Sequence, residues 1–262
     1  MDETPLDTAH AAMQAAPEDD AARLRFYERI ATAELYLLLT EEPEGEKISP
    51  RLFEADGATF VLVFDREERL GAFAQSTAPF AALPGRTLVG MIAGQGLGLG
   101  LNLDVAPSSF LMGDEAVDWL AATLDATPAE AAARPQEFHP PRGLPEALLT
   151  ALDARLGLAA GLARKAYLAG VIYDDGARGH LLGLTGTVPG AEPTLARAVN
   201  EALVFSGIDA GALDVVFLKD SDPTTAQLAR VGLRFDLPEP PATPEHTPKA
   251  PGSDPDRPPR LR

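Results

Sequence analysis

The residues of this chain whose types could do chemistry are few, and their spacing argues mostly against it. There is no cysteine among the 262 residues, which excludes thiol nucleophiles, thiolate metal sites and disulfides. Four histidines, His10, His139, His180 and His246, lie far apart without metal-ligand spacing. Asp220-Ser221-Asp222 has the D-x-D form of a cation site, but it stands directly before Pro223-Thr224-Thr225. Asp222 as a helix cap with Pro223 first in the helix accounts for it. Asp174-Asp175-Gly176 is a hairpin turn by composition. His180 falls in a strand pattern with no serine elbow and no second partner, so it reads as a core or edge histidine. No residue is assigned a catalytic or metal-binding role, and no cofactor is implied.

The unusual segment is Gly94-Gln95-Gly96-Leu97-Gly98-Leu99-Gly100. It suggests a phosphate loop, but no frame gives G-x-G-x-x-G and no Lys-Ser or Lys-Thr follows. Its period is two. A strand over Gly96–Leu103 places Leu97, Leu99, Leu101 and Leu103 on one face and Gly96, Gly98, Gly100 and Asn102 on the other. Glycine inside a strand weakens it, so something must come close to that face. Two occupants fit: a helix of the same domain, or a ligand or peptide lying in a groove with Asn102 as hydrogen-bonding group. The candidate binding residues are therefore Gly98, Gly100, Asn102 and Asp104.

The surrounding elements define an α/β (α+β) chain. Thr4-Pro5 starts a helix that runs to about Ala16, and a second helix follows Pro17-Glu18-Asp19-Asp20, burying Leu24, Tyr27 and Ala31. Strand patterns follow at Leu35–Leu39, Ile48–Glu54 and Thr59–Phe64, with Asp56-Gly57 as a tight turn. Asp65 caps a short helix, Pro84 starts another, and a helix from Asp114 buries Val117, Leu120 and Leu124. Trp119 lies beside that stripe. Residues 126–142 hold four prolines and read as a linker. Beyond it come a helix carrying Leu148 and Leu152, the hairpin Ala166–Tyr173 with His180–Thr185, an amphipathic helix around Leu195–Leu203, a strand at Leu213–Leu218, a helix from Pro223 and a last strand at Leu233–Asp236. The expected organisation is a domain at 1–125, a linker at 126–142, a domain at 143–236 and a tail at 237–262. Nine of the 26 tail residues are proline and apolar side chains nearly vanish, so the tail is expected to be disordered.

Charge narrows the partners. Twenty-two basic against 39 acidic residues leave a net charge of −17, a field that repels phosphate backbones and anionic membranes and favours a basic partner. The most apolar run, Leu88–Leu103, is too short and glycine-rich to span a bilayer. The acidic opening Met1–Pro5 does not have the form of a secretory signal. These features point to the cytoplasm. Oligomeric state is not legible.

The order Phe26-Tyr27-Glu28-Arg29-Ile30 into Glu34-Leu35-Tyr36-Leu37, then Phe60–Phe64 into Asp65–Leu70, then Gly96–Asn102, resembles the N-terminal domain of the SseB family, named for an enhanced serine-sensitivity phenotype. Lys165-Ala166-Tyr167-Leu168-Ala169 and its hairpin resemble that family's C-terminal domain. Two positions depart from the family pattern: Asp65 stands where a small hydroxyl residue is common, and Leu103-Asp104 where proline and a small residue are. The resemblance implies two small mixed-sheet domains and no defined reaction. With the acidic charge, it gives the expectation of a non-enzymatic cytosolic interaction or regulatory protein. Its partner would be basic or a metabolic enzyme, with a connection to serine metabolism. The alternative expectation is a small-ligand binder or enzyme using the interdomain cleft.

Overall fold

The computed structural model describes residues 3–43, 48–126, 134–208 and 213–238. It has the mixed α/β architecture the sequence implies, with one mixed sheet in each half of the chain. Helix α1 (Pro5–Ala15) starts at a capping box: the Thr4 hydroxyl accepts from the Asp7 N–H, and the Asp7 carboxylate accepts from the Thr4 N–H. Then come α2 (Asp20–Thr32), β1 (Glu34–Leu38), β2 (Leu52–Ala55), β3 (Ala58–Phe64), α3 (Glu67–Ala74), β4 (Phe80–Pro84), α4 (Gly85–Ile92), β5 (Leu97–Leu101), β6 (Phe110–Met112) and α5 (Asp114–Asp125). The sheet order is β4-β1-β3-β5-β6, with β2 also on β3; only β3 and β5 run parallel.

Alternation along β3 sorts the core. Val61 and Val63 pack with Leu35, Leu37, Leu99 and Leu101 under the larger helical layer, while Leu62 and Phe64 pack with Leu38, Leu70 and Phe73 on the α3 side. Strand β4 has no counterpart in the sequence pattern. Its run Phe80-Ala81-Ala82-Leu83-Pro84 ends in a proline, which an edge strand accommodates because one side needs no ladder donors.

The second half holds β7 (Pro135–His139), α6 (Glu146–Leu158), β8 (Lys165–Tyr173), β9 (Arg178–Thr185), α7 (Glu192–Phe205), β10 (Leu213–Leu218), α8 (Pro223–Val231) and β11 (Leu233–Asp236). Its order is β10-β9-β8-β11, with β7 also on β8, and only β9 and β10 are parallel. Strand β7 lies within the stretch read as linker. Its prolines hid an edge strand whose His139 ring fills the space over Gly170; residues 127–133 of that stretch lie outside the described residues. At the other end, Leu237 is buried and donates its N–H to the Arg164 carbonyl, and the Pro238 carbonyl accepts from Gly161. The folded part thus reaches two residues past the boundary drawn from proline density, because one leucine suffices to anchor them. The tail from 239 lies outside the described residues.

Helix α7 connects the halves. Leu195, Val199, Ala202 and Leu203 belong to the second core, whereas Phe205 joins the first. Between them Glu201, almost fully buried, takes Arg155 of α6 at 3.0 Å and Arg86 of α4 at 3.1 Å. Arg155 also reaches Glu28 of α2 at 2.9 Å. One buried carboxylate shared by two arginines fixes how the halves sit together.

Candidate functional site

Strand β5 brings Gly98 and Gly100 against β3 in the register Phe60↔Gly98 and Leu62↔Gly100, so their bare face is shared with Phe60 and Leu62. The atoms nearest the glycines belong to β3, β6 and Leu103, while α3 packs on the same side of the sheet through Leu70 and Phe73. A Cβ on Gly98 would meet Cε1 of Phe60 at 2.6 Å and the Met112 carbonyl oxygen at 2.6 Å; one on Gly100 would meet Leu103 at 3.1 Å and Leu62 at 3.3 Å. The neighbouring strand's own side chains thus lie over the glycines. The leucine stripe also stops earlier than simple alternation requires. Leu97, Leu99 and Leu101 face the larger core, but Leu103 packs on the opposite side with Leu62 and Phe64. The reason is the backbone: Asn102 (φ 49°) and Asp104 (φ 59°) are both left-handed, which ends the strand and carries Leu103 across.

Asn102 is fully buried, and its amide does not face a groove. Its Oδ1 accepts from the Asp65 N–H at 3.1 Å, and its Nδ2 donates to the Ser108 hydroxyl at 2.9 Å. It thereby ties the carboxyl ends of the parallel strands β3 and β5, the place where open α/β sheets hold ligands. Here that place is filled from within. The Ser108 hydroxyl donates to Asp7 at 2.5 Å, and Arg69 of α3 grips the Asp7 carboxylate with Nη1 at 3.0 Å and Nη2 at 2.5 Å. Arg69 Nη1 also reaches Asp65 at 2.9 Å, and Asp65 accepts from the Thr4 hydroxyl at 2.6 Å. Asp7, Asp65 and Arg69 are each about 5% exposed or less. Asp65 does not cap α3, whose N-cap is Arg66 without a side-chain bond. Asp65 is instead a second carboxylate for Arg69. Asp104, the fourth candidate, is exposed and outside this cluster, its N–H donating to the Ser109 hydroxyl at 3.4 Å.

Burial would raise the pKa of Asp7, but the hydrogen bonds from Arg69, Ser108 and the Thr4 N–H, with the charge of Arg69, outweigh it and hold the carboxyl well below the usual range. One turn along α1, His10 is buried against Phe26 (5.2 Å) and Phe110 (5.9 Å). Burial pulls its pKa down, opposed by the Pro107 carbonyl and the Asp7 charge. Both groups have depressed folded pKa values, so both contribute stability that is present above the unfolded value and lost as pH falls through it. The docking of α1 should weaken in two acid steps. The first, from His10, begins below about pH 6.5, and the second, from Asp7, begins below about pH 4. Thermal unfolding of the full chain from neutral to mildly acid pH should show a falling midpoint, with the first step absent from a His10→Phe variant. An identical slope in that variant would show that His10 is not responsible.

The other sequence candidates stay apart from this cluster. His180 sits on β9, bonded through Nε2 to the Arg142 carbonyl at 3.1 Å. Asp222 caps α8 by accepting from Thr224 at 2.8 Å, and the Asp174–Gly176 segment turns β8 into β9. Trp119 is 41% exposed and lies against Tyr27 at 6.1 Å. No three His, Asp or Glu side chains gather as metal ligands among the described residues. Asp7, Arg69 and Ser108 were missed by sequence reasoning. The one available signal was Asp65 and Arg69 at i, i+4, a spacing that ordinarily marks a surface pair.

The fold and its polar centre define a two-sheet α/β protein whose first sheet is sealed at the carboxyl ends of its parallel strands by its own first helix. Residues 6–119 match the family model of the SseB protein N-terminal domain. The chain carries an SseB N-terminal domain over those residues; the match does not extend into the second half. No curated protein and no solved structure matches the chain.

Proposed function

We propose that this protein is a non-enzymatic cytosolic interaction or regulatory protein of the SseB type, its second half an SseB-like C-terminal domain, and that it binds a basic protein partner, with amino-acid metabolism as the setting. The observation that carries this reading is the edge strand β2. Leu52 and Phe53 point to opposite faces of it and are 53% and 38% exposed. Among the described strands, β2 pairs with β3 alone. An exposed apolar edge invites another chain, and the adjacent Glu41, Glu42, Glu54 and Asp56 are all exposed. A partner strand added there would satisfy the open backbone groups and cover both side chains, while its basic residues would answer the acidic surroundings. The field of a chain at −17 speeds such an encounter.

The test uses the tagged full-length protein and a Leu52→Asn/Phe53→Asn variant to capture partners from the protein's own cytosol. A basic protein held by the first and lost from the second is expected. Its association rate should then fall at least about tenfold from about 0.05 to about 0.5 M salt, with dissociation changing less. Equal capture by the two forms, or a flat salt response, counts against the reading. A metabolite consumed by the purified protein and spared by an Asn102→Ala or His180→Ala variant would replace it with an enzymatic one.

A further inference from the structure

The chain itself supplies a segment with the chemistry that the β2 edge accepts. Residues 239–262 hold four acids and four bases, so the whole excess of 17 negative charges lies on the rest of the chain. Within 239–262 the signs are segregated. All four acids fall at 239–256, with Lys249 as the one base among them. Arg257-Pro258-Pro259-Arg260-Leu261-Arg262 holds three arginines and no acid, and no other six-residue stretch of the chain holds three bases. Leu261 is also the one aliphatic side chain larger than alanine in 239–262, proline aside. A basic stretch with one apolar side chain, on an otherwise acidic protein, matches a surface that offers both acid and apolar contact.

The surroundings of β2 offer both. Residues 41–56 carry six acids against two bases, and Glu41, Glu42, Glu54 and Asp56 are exposed. Leu52 and Glu54 share one face of the strand, and Phe53 lies on the other. The triplet Arg260-Leu261-Arg262 alternates in the complementary sense. Laid along the open edge, it puts Leu261 over Phe53 and both arginines on the opposite face, one guanidinium at Glu54 and the stem of the other along Leu52. Pro258 and Pro259 have no N–H to donate, so the pairing is confined to the triplet.

We infer that Arg260-Leu261-Arg262 occupies the β2 edge of its own chain, and that a basic partner must displace it there. The inference rests on the reading of β2 as an edge that accepts a basic strand. Reach allows it. Six of the eighteen residues at 239–256 are proline. At the polyproline rise the path from Pro238 to Arg257 covers about 60 Å. A body of this size is roughly 45 Å across. Three paired residues bind weakly between separate molecules, but a tether of this kind holds them at an effective concentration on the order of millimolar. A partner with tighter contacts displaces the segment and a loosely matched basic chain does not, so the segment sets a threshold for what β2 accepts.

The chain has no cysteine, so a nitroxide attached after Pro258→Cys marks this segment alone and leaves its three arginines in place. In the isotope-labelled full-length protein at about 0.05 M salt, the amide resonances of Leu52, Phe53 and Glu54 should lose at least about half their intensity to the nitroxide, and recover it at about 0.5 M. Adding Arg257→Gln/Arg260→Gln/Arg262→Gln to the same chain should abolish the loss. Resonances of β2 that the nitroxide leaves untouched, or that it broadens equally in the triple variant, would overturn the inference. Equal broadening of nitroxide-free labelled chains mixed with nitroxide-bearing unlabelled ones would also overturn it, by assigning the segment to a second copy. No partner enters this experiment, so the two readings of β2 fail separately. If Leu52→Asn/Phe53→Asn loses no captured protein, the partner reading fails while the broadening stands. If capture is lost and the β2 amides are untouched, this inference alone fails.

Discussion

Replacing Arg69 by methionine should lower the stability of the full chain by about 3–5 kcal/mol, the scale for removing one partner of a buried ion pair. Arg69 is the cation between Asp7 and Asp65, and all three side chains are almost fully buried. Without it two carboxylates face each other out of water, and the hydrogen bonds from Thr4 and Ser108 cannot neutralise both. Asp7 would then lose the cause of its depressed pKa and take up a proton far more readily, so the variant's deficit should shrink as pH falls toward about 4. A triple replacement, Asp7→Leu/Arg69→Met/Asp65→Ser, should recover most of the loss, since apolar groups that fill such a site are often neutral or stabilising. Urea unfolding with an unchanged slope measures all of this. A loss under about 1 kcal/mol for Arg69→Met would mean that water reaches the cluster.

The contrast between the fold and this cluster follows from the range over which each is encoded. The strands over Thr59–Phe64 and Leu213–Leu218 and the helix starts at Thr4-Pro5 and Asp222-Pro223 depend on neighbours within a few residues, and local periodicity and cap chemistry report those. The β4 and β7 edges were not legible because their prolines carry the same signal as loops; only pairing to β1 and β8 makes them strands. The polar centre depends on contacts that span the domain. Asp7 meets Arg69 across 62 residues and Ser108 across 101, and nothing in their local sequence announces it. Asn102 was visible as an odd polar residue at the end of a glycine strand. Its two partners, and thus its role as a tie between β3 and β5, were not.

The same distinction explains how α1 takes part in the domain. Its sequence reads as an ordinary capped helix, and locally it is one. Yet Asp7, the third residue of α1, serves the capping box, Arg69 and Ser108 together. Leu6, His10 and Met13 on the same helix are buried around it. An N-terminal helix is held firmly when charge, cap and apolar packing converge on one side of it, and here they converge on the crevice between β3 and β5.

The glycine strand gives the sharpest steric expectation. Gly98→Val should destabilise by about 3 kcal/mol, at the upper end of what overpacking costs a core. The β-propensity of valine works in the opposite direction by no more than about 1 kcal/mol. The size of the effect follows from what the new side chain meets. The Phe60 ring can turn, but the Met112 carbonyl oxygen, 2.6 Å from the new Cβ, is backbone and is held by the β5–β6 ladder. A Phe60→Leu background separates the two obstacles. If the ring were the whole barrier, Gly98→Val would become nearly neutral there. With the carbonyl as the stiffer obstacle, the double variant should recover only part of the loss, a coupling of about 1 kcal/mol in the cycle of single and double variants. Gly96→Ala on the same strand approach is the contrast: it is outside β5 with φ 67° and open space above it, so it should cost only the backbone strain of a left-handed alanine, about 1 kcal/mol. Equal losses at the two positions would show that the face over Gly98 is open, and that conformation rather than contact explains why this strand carries glycine.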